Sequence, residues 1–185
     1  MSLTLETHAA NPSRAMQGDS LLRAPADDPR LIRAAFGRFP SGVAALCARV
    51  DGEKVGMVAS SFSVGASFDP PLVMFSAQNS STTWPKLQRA QEIGVSVLGG
   101  AQAAACLQLA SRSRDRFDGL NLHETEGGAL LVHDSAMWLQ TRVLSQTPAG
   151  DHHVVLLEVT ALHVVDGVEP LIYHAQRFHG LRAAG

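Results

Sequence analysis

Cysteine, net charge and long apolar runs are scarce in this sequence of 185 residues, and each shortage excludes a class of protein. Two cysteines, Cys47 and Cys106, are too few for a disulfide scaffold, and both lie in apolar stretches typical of a core in a reducing compartment. A formal charge of -2 with scattered basic residues disfavours nucleic-acid binding. No apolar run approaches the roughly 18 residues of a membrane span, and residues 1–20 lack the apolar core of a secretory signal. We therefore expect a soluble, cytoplasmic protein.

Several catalytic fingerprints are missing as well. No G-x-G-x-x-G follows a strand, no G-K-[ST] loop is present, and G-x-S-x-G does not occur, which leaves a dinucleotide fold, a P-loop and a hydrolase elbow without support. The histidines lack the spacing of metal ligands. Adjacent His152 and His153 would point to opposite faces of a strand, so we expect no metal site.

What remains is a globular composition, with 45% hydrophobic and 17% charged residues, in a chain whose length suits one domain. Residues 1–26 show no periodicity, so we predict a flexible tail at 1–26 and one folded domain at 27–185. Asp27-Asp28-Pro29 is a helix-start signal. Apolar residues at helical spacing follow as far as Phe39, and Pro40 then ends this helix.

Short apolar runs separated by turn residues dominate the rest of the chain and predict mainly β structure with short helices. Asp51-Gly52 predicts a tight hairpin turn, and Leu72–Ala77 predicts a strand buried on both faces. The predicted strands are 43–50, 54–60, 72–77, 93–98, 138–145, 154–165 and 170–174, and the later predicted helices are 83–90 and 101–111. An antiparallel barrel with helices closing its ends fits this order better than alternating βαβ units.

Two segments have the character of a ligand site. Gly56–Phe62 alternates small, hydroxyl and apolar residues, so its backbone could approach a flat ligand; a polar strand end facing water is the alternative. The four hydroxyl residues Ser80–Thr83 precede a helix start marked by Pro85. Unpaired amides and the helix dipole there favour an anion, and a simple capping loop is the alternative.

Three further features could carry chemistry. Asp151 could fix the tautomer of His152 beside a ligand, or His152 is a surface histidine. Arg116 could reach a phosphate and Phe117 could line a flat cofactor, or Arg116 pairs with a neighbouring aspartate. Tyr173, the only tyrosine, is either a core ring or a ligand contact.

The order of these segments resembles the flavin reductase-like family over roughly residues 30–180. The matching segments are Phe39-Pro40-Ser41-Gly42-Val43, Gly56–Phe62, Asp69-Pro70-Pro71-Leu72-Val73, Ser80-Ser81-Thr82 with Trp84, Asp115-Arg116-Phe117, Gly150-Asp151-His152 and Pro170-Leu171-Ile172-Tyr173-His174. Three positions depart from the family pattern. Ser41 and Val58 stand where threonine is frequent, and Gln78 stands where a basic residue is frequent.

The resemblance implies a split antiparallel β-barrel of the FMN-binding type, usually a homodimer with flavin near the subunit interface. It implies hydride transfer from NADH or NADPH to FMN or FAD, with reduced flavin passed to a separate flavin-dependent monooxygenase. The segment Val58–Ser61 would line the isoalloxazine ring and Asn79–Thr82 would hold the phosphate. His152 would orient the nicotinamide without transferring protons.

The complete set of residues that we expect to contact flavin or nicotinamide is Met57, Val58, Ala59, Ser60, Ser61, Ala77, Asn79, Ser80, Ser81, Thr82, Trp84, Arg116, Phe117, His152 and Tyr173. Two other functions fit the same residues. One is a reductase that holds flavin tightly and reduces iron or a corrin, and the other is a non-catalytic flavin-binding protein.

Overall fold

The computed structural model describes residues 28–181 and groups the chain into two units, divided between Gly37 and Arg38. The first unit contributes helix α1 (Pro29–Phe36), and the second contains every strand. The tail predicted at 1–26 lies outside the described residues, so the domain boundary at residue 27 stays a prediction.

Helix α1 begins as its sequence signal predicts. The Asp28 carboxylate accepts a hydrogen bond from the Arg30 amide at 2.8 Å, and Pro29 opens the first turn. The helix ends at Phe36, before the predicted limit at Phe39. The physical reason is Pro40, which has no amide hydrogen to donate to the carbonyl of Phe36 four residues earlier and disfavours helical backbone at Phe39.

Between residues 38 and 181, the second unit contains twelve strands and two short helices. In chain order they are β1 (Ser41–Gly42), β2 (Ala44–Val50), β3 (Glu53–Ala59), β4 (Ser63–Phe68), β5 (Pro71–Gln78), α2 (Trp84–Leu87), β6 (Ile93–Val97), α3 (Ala103–Leu109), β7 (Leu122–Glu124), β8 (Leu130–Val132), β9 (Met137–Ala149), β10 (His152–Val164), β11 (Ile172–His174) and β12 (Arg177–His179). Strands β1, β11 and β12 form one small sheet, and β7 pairs with β8.

Seven strands form the main sheet, in the antiparallel order β3-β2-β6-β9-β10-β5-β4. Strands β3 and β4 are therefore its two edges, yet only the closing link, Ser60–Phe62, separates them along the chain. A flat sheet would hold these edges about 29 Å apart at ~4.8 Å per strand, whereas the link reaches at most about 14 Å. The sheet must curl until its edges meet, and this confirms the predicted antiparallel barrel.

The core is divided by strand β2, which is buried on both faces, except at Arg49, because an apolar cluster packs on each face. Leu46 and alternate residues of β2 pack into one apolar cluster with Phe75 and Trp84. Ala45 and Cys47 pack into a second cluster with Phe117, and Arg49 on the same face is exposed. The two-residue period of the strand thus assigns each buried side chain to one cluster.

Several predicted elements need correction. Strand β5 is not buried on both faces, because burial alternates along it and Met74 is 38% exposed. The sequence prediction also missed β1, β4, β7, β8 and β12, so the strand predicted at 170–174 is not the last one of the described chain. Strand β4 does carry apolar residues at every second position (Val64, Ala66 and Phe68), so a strand signal was present, although β4 is almost entirely exposed as an edge held only by β5. Within residues 28–181, no helix has the length and hydropathy needed to traverse a bilayer.

Gly56 gives a stability test of the packing between β3 and the second cluster. A Cβ at Gly56 would lie 2.7 Å from Cζ of Phe117 and 2.8 Å from Sγ of Cys47, both side chains of the buried core. We expect Gly56→Ala to lower the free energy of unfolding by about 1–3 kcal/mol, the usual cost of overpacking. Urea denaturation measures this change.

Gly42→Ala is the matched control, because a Cβ at this strand glycine meets nothing within 4 Å. Its free energy of unfolding should stay within about 0.5 kcal/mol of the parent. The cost of Gly56→Ala should also shrink in a Cys47→Ala background. Equal stability of the two glycine variants would contradict the packing described here.

Candidate functional site

A cavity of about 600 Å³ opens where the curled sheet closes. Ten of the predicted contact residues line it: Met57, Val58, Ala59, Ser60, Ser61, Ser80, Ser81, Thr82, Arg116 and His152. Its volume lies within the range of about 300–1,000 Å³ that small-ligand sites occupy. The fold therefore brings together residues that are up to 95 positions apart in the chain, from Met57 to His152.

Two residues of the closing link, Ser60 and Ser61, line this cavity. The hydroxyl of Ser61 accepts a hydrogen bond from the Ser76 amide at 3.0 Å and lies 3.2 Å from the Ser76 carbonyl oxygen, to which it donates. Both bonds join the end of β3 to β5, so this hydroxyl is a structural clasp between the two sides of the sheet. The hydroxyl of Ser60, in contrast, has no partner within residues 28–181.

Strand β3 offers one backbone edge to the cavity because it pairs with β2 alone. The carbonyl of Gly56 faces that open edge, where it accepts a hydrogen bond from Arg116 at 2.5 Å. Residues two apart on a strand present their backbone groups to the same edge, so the amide and carbonyl of Val58 also face outward. A planar ligand with donors and acceptors could pair with this edge as another strand would.

Some polar groups of the hydroxyl loop 80–83 form hydrogen bonds within the protein, and others have no partner there. The Ser81 hydroxyl accepts a hydrogen bond from the Trp84 amide at 3.0 Å, and Thr83 accepts one from Arg116 at 2.9 Å. Within the described part of the chain, the hydroxyls of Ser80 and Thr82 and the amides of Ser80, Thr82 and Thr83 have no partner. These unpaired donors could act together as a seat for an anion.

This seat differs in one respect from the predicted one. Helix α2 has only four residues, and its first amide is occupied by Ser81. The donors for an anion therefore belong to the loop itself rather than to a helix start, and the helix dipole contributes little over a single turn.

Arg116 holds three segments of the site together. Its Nη1 donates to the Gly56 carbonyl and to Thr83, and its Nε donates to the Ser111 carbonyl at 2.7 Å. Among the described residues it forms no ion pair with Asp115 or Asp118, which was the alternative interpretation. The guanidinium thus fixes the loop after α3 against β3 and the hydroxyl loop, and places a positive charge at the cavity wall.

His152 enters the cavity from the opposite side, at the start of β10. Its Nδ1 lies 2.7 Å from the Asp151 carboxylate, which leaves Nε2 for a ligand. Asn79 supports this hairpin turn: its amide bonds to the Asp151 carbonyl at 2.9 Å and its side chain to the Gly150 carbonyl at 3.3 Å. His152 is consequently held near the end of β5, where it pairs with Gln78.

Five predicted contact residues do not line this cavity: Ala77, Asn79, Trp84, Phe117 and Tyr173. Trp84 is a core residue, packed edge-on against Phe75 and bonded through Nε1 to Gln146. Ala77 and Phe117 are buried as well, and the ring of Tyr173 packs on Phe178. The positions of these four residues follow from hydrophobic packing, whereas Asn79 is placed by its hydrogen bonds to the turn at Gly150 and Asp151.

Six lining residues were absent from the predicted set: Ser76, Gln78, Thr83, Leu109, Ala110 and Arg112. Ser76 carried a signal, since it is a polar residue inside the apolar run of β5. Leu109 and Ala110 end helix α3 without any motif, and only the tertiary fold brings them to the cavity.

Cys47, which faces Gly56 of strand β3, is not a reactive thiol. Complete burial raises the pKa of Cys47 to about 12, although a hydrogen bond with the Met57 backbone and the charge of Arg116 oppose the rise. The thiol therefore stays protonated and packs beneath β3 as an apolar group rather than acting as a nucleophile. No cluster of three metal-ligating side chains occurs within residues 28–181.

Comparison with known proteins relates this geometry to one family. The family described as "Flavin reductase like domain" matches residues 36–182. A flavin reductase of Pseudomonas putida is 35% identical over 157 residues, covering 84% of this chain and 92% of that protein. The reductase subunit HsaB of a flavin-dependent monooxygenase from Rhodococcus jostii (strain RHA1) is 30% identical and covers 89% of this chain and 84% of its own.

A solved structure agrees with these sequence matches. The NADH:FAD oxidoreductase SgcE6 of Streptomyces globisporus C-1027, in complex with NAD and FAD fragments, superposes with a TM-score of 0.77 at 30% identity. The superposition covers 87% of this chain and 98% of that one. The barrel fold is therefore shared with a flavin-reducing enzyme.

The two serines of the closing link give a matched test of the clasp. We expect Ser61→Ala to lower the free energy of unfolding by about 1–3 kcal/mol, because it leaves the Ser76 amide and carbonyl without their partner. Ser60→Ala, which removes a hydroxyl that has no partner in the described structure, should change it by less than about 0.5 kcal/mol. Thermal or urea unfolding of both variants checks the difference, and an equal loss in the two would rule out the clasp.

Proposed function

The chain belongs to the flavin reductase like family, and on that premise we propose that it reduces flavin with a nicotinamide dinucleotide as hydride donor. The observation that carries the proposal is the cavity bounded by the open edge of β3 and the unpaired donors of loop 80–83. The first surface suits a flat ring with polar edges, and the second suits a phosphate.

The ring of flavin fits the open strand edge. Its pyrimidine part carries both donors and acceptors, which the outward amide and carbonyl of Val58 complement. Since Val58 has no side-chain hydroxyl, this recognition rests on the backbone. Small residues at Ala59 and Ser60 leave the approach to the strand open.

The phosphate of flavin fits the donors of the hydroxyl loop. Ser80 and Thr82 supply hydroxyls, and their amides are unpaired within the described chain. Arg112 and Arg116 add positive charge at the same wall. The seat thus offers charge-assisted hydrogen bonds to a phosphate.

Bound flavin and nicotinamide supply the hydride-transfer chemistry themselves. The protein therefore needs no nucleophile, acid or base, and its contribution is to hold two rings in contact and exclude water. Donors at the β3 edge favour negative charge as it develops on the ring. His152, whose Nδ1 is held by Asp151, orients the nicotinamide through Nε2.

We propose that reduced flavin leaves the site for a separate flavin-dependent monooxygenase, as the reductase-subunit name of the Rhodococcus relative supports. We also propose a homodimer. Leu162 and Val164 lie on one face of β10 and are 67% and 58% exposed, and Phe68 on β4 is 90% exposed, so apolar surface is available for a second copy. A cytoplasmic location stays a prediction.

FMN should bind more tightly than riboflavin, because only FMN carries the phosphate that loop 80–83 would hold. We expect the dissociation constants to differ by about tenfold or more. Quenching of flavin fluorescence measures both constants. The double variant Ser80→Ala/Thr82→Val should bring the dissociation constants of riboflavin and FMN closer together. Equal constants for the two flavins in the parent protein would show that loop 80–83 does not hold the phosphate.

His152→Ala should raise KM for the nicotinamide donor by about five- to tenfold, since one orienting contact is lost. Steady-state kinetics at saturating flavin gives this value. His153→Ala is the control, because that side chain points to the other face of β10. An unchanged KM in His152→Ala would show that this residue does not orient the donor.

A further inference from the structure

A second cavity, the outer cavity, adjoins the first one beyond the hydroxyl loop. Its volume is about 330 Å³, and it shares Thr82, Thr83 and Arg116 with the first cavity as a common wall. It contains none of the residues of β5 and β10 that line the first cavity on the side of His152. The outer cavity therefore continues the site from its phosphate end.

The chemistry of the outer cavity differs from that of the first. Three cationic side chains line it besides Arg116: Lys54, Lys86 and Arg114. Two carboxylates, Glu53 and Asp115, stand among them. The first cavity, in contrast, has unpaired hydroxyls and amides and no lysine. A group that carries both negative charge and hydroxyls would satisfy both kinds of side chain.

The large aromatic residue of the outer cavity does not offer a stacking surface. Phe117 is only 6% exposed, packed against Gly56, and the ammonium group of Lys54 lies 5.7 Å from the centre of its ring. The cavity thus recognises charge and hydroxyl groups rather than the face of a base.

We propose that the outer cavity holds the adenylate half of FAD and that the chain selects FAD over FMN; this inference rests on the proposed function. A flavin whose first phosphate occupies loop 80–83 extends past Thr82 and Thr83, which are the wall of the outer cavity. The second phosphate meets Lys86 and Arg114, and the carboxylates accept hydrogen bonds from ribose hydroxyls. The adenine base makes no specific contact.

A nicotinamide dinucleotide also carries a second phosphate, but the outer cavity is placed less well for it. His152, the residue proposed to orient the nicotinamide, lies on the side of the first cavity that the outer cavity does not share. The donor phosphates would have to cross the flavin phosphate seat to reach Lys86.

The test compares the affinities of FAD and FMN in the parent protein, Lys86→Ala and Arg89→Ala, measured by fluorescence titration without nicotinamide. The parent should bind FAD about tenfold or more tightly than FMN. Lys86→Ala should narrow the FAD-to-FMN affinity ratio by about fivefold, the size of a solvent-exposed ion pair. Lys86→Arg should keep the parental ratio.

Arg89→Ala is the matched control, since Arg89 is an exposed cation three residues away that lines neither cavity and pairs with Asp51. Its affinity ratio should equal that of the parent. An equal affinity for FAD and FMN in the parent, or a ratio unaltered in Lys86→Ala, would overturn the inference and leave flavin reduction intact. The inference is also overturned if Lys86→Ala raises KM for NADPH with FMN as the flavin. Failure to bind either flavin would refute the proposed function itself.

Discussion

The short link between the two edge strands is the constraint on which the rest of the structure depends. Strands β3 and β4 stand at opposite edges of a seven-stranded sheet, and the three residues Ser60–Phe62 connect them. Because so short a segment cannot cross a flat sheet, the sheet curls, and the clasp between Ser61 and Ser76 fixes the closure. The first cavity lies at this closure, so the same short link that curls the sheet also creates the candidate site.

The site is made of the polar groups that the closure leaves unpaired. Ser61, Ser81 and Thr83 use their hydroxyls for bonds within the protein. Within the described chain, the hydroxyls of Ser80 and Thr82 have no partner and are the ones that we propose for a ligand. A hydroxyl-rich motif thus contains two classes of residue that look identical in sequence. Substitutions in the first class test the fold, and substitutions in the second test binding.

Features set by neighbouring residues could be predicted from the sequence, whereas contacts created by the closure of the sheet could not. Asp51-Gly52 forms the expected hairpin turn, with both residues at positive φ, because the dipeptide itself favours that conformation. The burial of Phe117 beneath Gly56 could not be predicted, since it depends on a contact across 61 positions of the chain. Leu109 reaches the cavity for the same reason. The segments that line the cavity could be picked out because their composition is unusual. Which of their hydroxyls bond within the protein depends on the tertiary structure.

The open edge of β3 explains why a flat polar ligand and this fold suit each other. An unpaired strand edge is an aggregation hazard that proteins usually cover. Here Arg116 covers one part by bonding to Gly56, and Val58 remains uncovered two residues further along. A planar ring that paired with Val58 would complete the cover, and its binding would satisfy backbone groups that water otherwise solvates. In the proposed binding mode the backbone makes this contact, so valine at this position, where the family pattern favours threonine, is compatible with it.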